Sequence, residues 1–202
     1  MASPPSTVAA EVRSRASGLN AYVARMERLY AANELGRPDL HRVYGGAFMA
    51  YATYVERSLE RLFLGILMKR FAAPALRPLI EIQSEVVARR VVAGGRKYVD
   101  WLPFEAHTEV RALAFLAAGR PFTGLSNADK KTLDRVGILR NALAHESSHA
   151  LRQFRKNFTD GKAVPAEQLS PAGYLRGQHS PGITRFTNTL AEATAVFTRL
   201  CQ

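Results

Sequence analysis

Over residues 126–158 the apolar side chains Leu139, Leu143, Ala150, Phe154 and Phe158 recur at steps of four or seven. That spacing draws one stripe along a helix and predicts a single long amphipathic helix there. Asn141 lies about 200° around such a helix from Leu143, so it points away from the stripe. His145, His149 and Arg152 follow at steps of four, four and three, and Arg140 flanks them. Residues at these spacings are neighbours on the helix surface. The helix therefore has a core face and an opposite face of Arg, Asn and His, which can carry chemistry or a polar interface.

The rest of the chain also follows helical periods. A narrow seam of Val8, Val12, Leu19, Val23, Met26 and Tyr30 predicts a first helix over about 6–35, with Ser6 as its cap. Gly36-Arg37-Pro38 stops it. Asp39 then caps a second helix running to about 71, apolar over a wide face from Val43 to Ile66 and carrying Glu56 and Glu60. Ala73-Pro74 breaks the chain. A third helix over about 75–93 ends at Gly94-Gly95, where glycine tolerates the left-handed conformation. A fourth follows Pro103 to Gly119, and Ser126 with Asp129 forms a capping box for the central helix. After Asp160-Gly161, about twenty residues rich in Pro, Gly and Ser predict a loop with one short turn near Gln168. A last helix begins at Ser180-Pro181. No strand shows convincing alternation and no repeat is present. The expected class is all-α, a bundle of about five to six helices in one domain over 1–202: a core over about 40–158, an N-terminal helix, and a C-terminal loop and helix over 160–202.

Of 202 residues, 47% are apolar, enough for a real core. No apolar run approaches the ~20 residues of a membrane span. The first residues lack the apolar middle of a secretory signal, and the one cysteine, Cys201, excludes a disulfide framework. A cytoplasmic location is expected. Twenty-eight Lys and Arg stand against 17 Asp and Glu, a net charge of +11, which favours a polyanionic partner, nucleic acid first. The densest basic block, 69–97, holds seven cations and two acids. Within it Arg89, Arg90, Arg96 and Lys97 are candidate RNA contacts, joined by Arg152 on the central helix. Tyr98 can stack on bases, whereas Trp101 is expected in the core.

Two motifs overlap on the central helix. His145-Glu146-Ser147-Ser148-His149 reads HExxH, which on one helix can place two histidines on a zinc ion with Glu146 as general base, the arrangement of a zinc metallopeptidase and the less favoured reading. It lacks the distal third histidine, since position 155 is Arg155, and no sheet precedes it. The other motif is Arg140-Asn141-Ala142-Leu143-Ala144-His145, RNxxxH. With the run PFTGLSNADKKTLDRVGILRNALAHESSHAL, it resembles the HEPN superfamily in its RiboL-PSP-related branch. AYATYVERSLERLF likewise resembles the long HEPN helix whose acidic residue faces the motif arginine, here Glu56. The resemblance spans about 40–158. It implies an all-helical, metal-independent ribonuclease that works as a homodimer, without cofactor, in host defence, RNA processing or toxin–antitoxin pairs. A cognate antitoxin or other partner protein would then accompany it. The alternative is a non-catalytic HEPN module that binds RNA or a partner protein.

RNA cleavage explains the residue types. The ribose 2′-OH must lose a proton as it attacks phosphorus, and the leaving 5′-oxygen must gain one. Histidine serves either step near neutral pH. A fixed guanidinium stabilises charge growing on the phosphoryl oxygens. His145 is thus the expected proton-transfer group and Arg140 the phosphate clamp. Asn141 positions the phosphate or His145, and Glu56 and His149 support. Arg140 and His145 stand about 140° and 7.5 Å apart on an ideal helix, which favours a composite site built by two copies about a two-fold axis.

Overall fold

The computed structural model describes residues 4–71, 76–145 and 147–202. Two long helices form its spine, α1 (Pro5–Ala31) and α2 (Arg37–Leu67). The short connection over 32–36 returns the chain so that α1 packs along α2, and α1 also packs on the last helix. The expected seam holds: Val8, Val12 and Val23 are buried, with Leu19, Met26 and Tyr30 packed against the core. The expected caps do not. Pro4 precedes α1 and places Pro5 in the first turn, where its missing N–H costs nothing. Gly36 holds the cap position of α2, and Asp39 sits inside the first turn, accepting from Arg42 at 2.8 Å.

α2 is buried along most of its length, as its wide apolar face requires. Near its C-terminal end Phe63 meets Trp101, Phe122 and Phe115 at centroid distances of 5.2, 5.7 and 6.2 Å. Trp101 is therefore core, as expected. Closer to the middle, the buried Tyr51 hydroxyl hydrogen-bonds with Leu190 O and Thr194 Oγ1 on α8 (Arg185–Leu200). Each polar atom taken from water there regains a partner.

The middle of the chain departs most from its periodicity. The expected break at Ala73-Pro74 lies outside the described residues. The third helix is shorter than predicted: α3 covers only Glu85–Ala93 and ends at Gly94 in the left-handed conformation, φ 58°. Upstream of it the backbone instead pairs with the end of α4 (Val110–Phe115) and the residues just after it, Leu79 N–H donating to Phe115 O and Ala117 N–H to Arg77 O. The fourth helix begins not with an α-turn but with a π-helical turn, Glu105–Glu109, that leads into α4.

The central helix is two helices. α5 runs Asn127–His145, α6 runs Ser148–Phe158, and Ser147 caps α6 by accepting from Ala150 N. The opening cap of α5 forms as predicted, Asp129 N–H donating to Ser126 Oγ at 3.2 Å. The Asp129 carboxylate, however, pairs with Arg199 of α8. The apolar stripe stays inward across the break: Leu139, Ala150, Phe154 and Phe158 are buried and Leu143 is partly so. Phe154 and Phe158 pack on Tyr174 of α7 (Pro171–Arg176), a short helix that periodicity does not predict. The expected turn near Gln168 is present as a 3-10 turn, Ala166–Leu169. A two-stranded hairpin, Gln178–Ser180 with Ile183–Thr184, delays the last helix until Arg185. The molecule is mostly helical, with eight helices and one small sheet among the described residues, and no helix among them is long and apolar enough to cross a membrane.

Candidate active site

The motif residues sit on the last two turns of α5, which end in the open. Arg140 and Asn141 are half-buried and His145, the final residue of the helix, is exposed. Across from them, the segment 100–104 lies tight against α5. Gly137 allows this: a Cβ there would stand 3.0 Å from Leu102 Cβ. Any larger residue would push the segment away from the turn that carries Arg140. Between the two walls opens a cleft of about 610 Å³. Arg140, Asn141, His145 and His149 all line it, together with His107, Asp100 and Asp134.

Arg140 is held on two sides. Its Nη1 donates to Asn141 Oδ1 at 2.8 Å, and its Nη2 stands 3.8 Å from Glu56 Oε2 on α2. The Arg140 Nε is buried and has no hydrogen-bond partner among the described residues. An orphaned donor of this kind is rare in folded proteins and asks for an explanation. The Nε itself faces the interior; the side chain as a whole is 29% exposed, and it is the rest of the guanidinium that an incoming anion meets. Glu56 is itself mostly buried, and that burial pushes its carboxyl above the usual range. Asp100 pushes the same way, while Arg140 and the amides of Leu102 and Trp101 pull it back. The sequence places Glu56 and Arg140 far apart; the fold makes them a pair.

The break after α5 separates the two overlapping motifs physically. His145 closes one helix and His149 lies in the first turn of the next. The i, i+4 relation that HExxH needs on a continuous helix is therefore absent. Glu146, the glutamate of that motif, lies outside the described residues. Among those that are described, no three His, Cys, Asp or Glu side chains come together closely enough to hold a metal ion. The first turn of α6 contributes Ser147, His149 and Ala150 to the cleft wall instead. Its free amide ends carry the partial positive charge of a helix N-terminus.

Other expected contacts are distributed differently. Arg152 is exposed on α6 but does not line the cleft. Within the basic block, Lys69 pairs with Glu81 at 2.5 Å and Arg70 with Glu85 at 2.8 Å, while Arg89 pairs with both Glu60 and Glu85. Arg89 thus helps to fasten α3 to α2 and is not a loose cation. Glu60, in turn, is its partner rather than a solvated charge. Arg90, Arg96 and Lys97 have no carboxylate partner among the described residues. Tyr98 is 73% exposed, with the Lys97 ammonium 5.6 Å from its ring centroid. This basic and aromatic run stops two residues short of Asp100, where the cleft wall begins.

Asp100, His107 and Asp134 are titratable lining residues that sequence reasoning missed. Asp134 Oδ1 accepts from the amides of Phe104 and Glu105, and burial pushes its carboxyl up. It ties the start of the π-helical turn to α5. No family model, curated protein or solved structure matches this chain.

Proposed function

We propose that the chain is a metal-independent endoribonuclease of HEPN type, acting as a homodimer whose clefts approach one another about a two-fold axis. The observation that carries this reading is the cleft itself, which gathers Arg140, Asn141 and His145. The RNA phosphate enters beside Arg140 and the amide end of α6. The 2′-OH attacks phosphorus, the bond to the 5′-oxygen breaks, and His145 moves one of the two protons. Asn141 and Glu56 hold the guanidinium in place. Because both Arg140 and His145 reach one cleft of one chain, the two-fold partner is less needed to bring them together than an ideal helix suggests. The dimer rests on the resemblance. The deciding test is a labelled RNA of mixed sequence: the purified chain cuts it, and a 2′-deoxy residue on the 5′ side of the cut abolishes that cut. Cutting the deoxy substrate equally well would contradict 2′-OH attack.

A second reading, a non-catalytic module that grips a protein, has one observation behind it. On α3, Val86 is 61% exposed, and Val87 and Val91 are exposed beside it. Intact Arg140, Asn141 and His145 in an open cleft favour the enzyme.

Two expected results follow for the surroundings. Glu56→Gln lowers the cleavage rate by about tenfold, the effect of losing an orienting contact worth roughly 1–1.5 kcal/mol. It leaves the melting temperature at neutral pH the same or higher. The sign follows from linkage: the folded carboxyl is raised above its unfolded value. The charged form is thus a net cost in the folded state, relieved as pH falls through the raised value and absent in the neutral amide. A large drop in melting temperature with unchanged cleavage would make Glu56 a brace only. Replacing Arg90, Arg96 and Lys97 together with Ser flattens the dependence of log affinity for single-stranded RNA on log salt, by roughly 0.7 per phosphate contact removed. An unchanged slope would place this run off the RNA path.

A further inference from the structure

The cleft contains a second imidazole on a separate wall, and on this we build one inference that rests on the ribonuclease reading. We infer that His107 is the second proton-transfer residue of the site, working opposite His145. Cleavage by 2′-OH attack needs two transfers. One imidazole takes the proton of the 2′-hydroxyl as its oxygen bonds to phosphorus. The other gives a proton to the 5′-oxygen as its bond to phosphorus breaks. The products are a 2′,3′-cyclic phosphate and a free 5′-hydroxyl, and the two imidazoles exchange protonation states that water then resets. In an in-line displacement the attacking and leaving oxygens lie on opposite sides of phosphorus. The acid and the base must then come from different walls. His145 and His149 flank the same helix break, whereas His107 comes from the π-helical turn Glu105–Glu109. All three line one cleft.

The local build supports a functional position for His107. π-helical turns are rare and occur often at functional sites. This one is clamped to α5, the helix that carries the motif, at both ends. Asp134 accepts the amides of Phe104 and Glu105 at its start, and Glu109 accepts from Lys130 Nζ at 2.5 Å at its end. Thr108, the buried neighbour of His107, donates its hydroxyl to Trp101 O at 2.5 Å. His107 itself is only half-buried and faces the cleft. Its backbone is thereby fixed relative to Arg140 and His145 while its imidazole stays accessible.

The test uses a short RNA that the wild-type chain cuts, and the same RNA with sulfur replacing the leaving 5′-oxygen at the cut. Thiolate leaves without a proton, so the general acid becomes dispensable. On the normal RNA, His107→Gln is expected to lower the rate about 10²–10⁴-fold, the range of a general acid–base group, with RNA affinity kept. His179→Gln, on the hairpin strand away from the cleft, is expected to stay within a few-fold. On the sulfur substrate, one of His107→Gln and His145→Ala recovers most of the rate and the other does not. Circular dichroism melts of both variants establish that they fold. Cleavage by His107→Gln within a few-fold of wild type, a loss that affinity or unfolding accounts for, rescue of neither variant, or loss and rescue in His149→Gln instead would each overturn the assignment. In all of these the wild-type chain still cuts RNA, so the ribonuclease reading survives. A wild-type chain that cuts no RNA defeats both.

Discussion

Arg140→Ala is expected to slow RNA cleavage by about 10²–10³-fold, the cost of removing one preorganised donor from the charge that develops in a transition state. The magnitude follows from the way the side chain is held. Glu56 and Asn141 fix the guanidinium from behind, so little reorganisation remains when the phosphoryl oxygens gain charge. The part of the guanidinium that remains exposed supplies the donor to the phosphate. Arg140→Lys is expected to recover little, because an ammonium is a point charge and cannot keep Asn141, Glu56 and a phosphate on one planar fork. Single-turnover rates at saturating protein read the effect on the chemical step, and RNA titrations read the effect on binding. If the lysine variant matches wild type, a nearby positive charge is all the site asks for, and the clamp geometry is unnecessary.

His145→Ala is expected to lower the same rate by about 10²–10⁴-fold with RNA affinity nearly unchanged. His145 is exposed at the end of α5, so its truncation opens no cavity in the core and the melting temperature should hold. The contrast with His149 is informative. A zinc site built on HExxH would depend on both histidines about equally, whereas here His149→Ala, at a supporting residue of the cleft, is expected to cost far less than His145→Ala. Full activity in His145→Ala with none in His149→Ala would mean that the wrong histidine has been assigned.

Much of the fold is legible in the chain because burial and periodicity coincide. The seam of Val8, Val12 and Val23 and the broad face of α2 are buried as their spacing requires. The break after His145 is hidden because Ala150, Phe154 and Phe158 stay in phase with Leu139 and Leu143 across it. A signal was nevertheless present: Ser147 is a good helix cap and takes the amide three residues on. Ser170-Pro171 is likewise a cap followed by a first-turn proline, and α7 begins there. The π-helical turn has no such mark, since one residue of extra winding leaves the composition unchanged.

The candidate site divides the same way. Arg140, Asn141 and His145 are visible because they are neighbours on one helix. Glu56 could be named only through the family resemblance, because its contact with Arg140 crosses from α2 to α5. His107 had no signal, since its partners in the cleft are all distant in sequence. The basic block shows the converse limit. Counting charge finds Arg89, and its i, i+4 partner Glu85 is local, but only tertiary packing reveals that Glu60 also occupies it.

The account turns on whether this cleft cleaves RNA with side chains alone. Purified protein is incubated with cellular RNA in excess EDTA, beside a sample with added zinc, and the new ends are analysed. Cleavage that persists in EDTA and leaves 2′,3′-cyclic phosphates and 5′-hydroxyls is the result predicted. No cleavage under either condition, or cleavage that EDTA abolishes and added zinc restores, would contradict it.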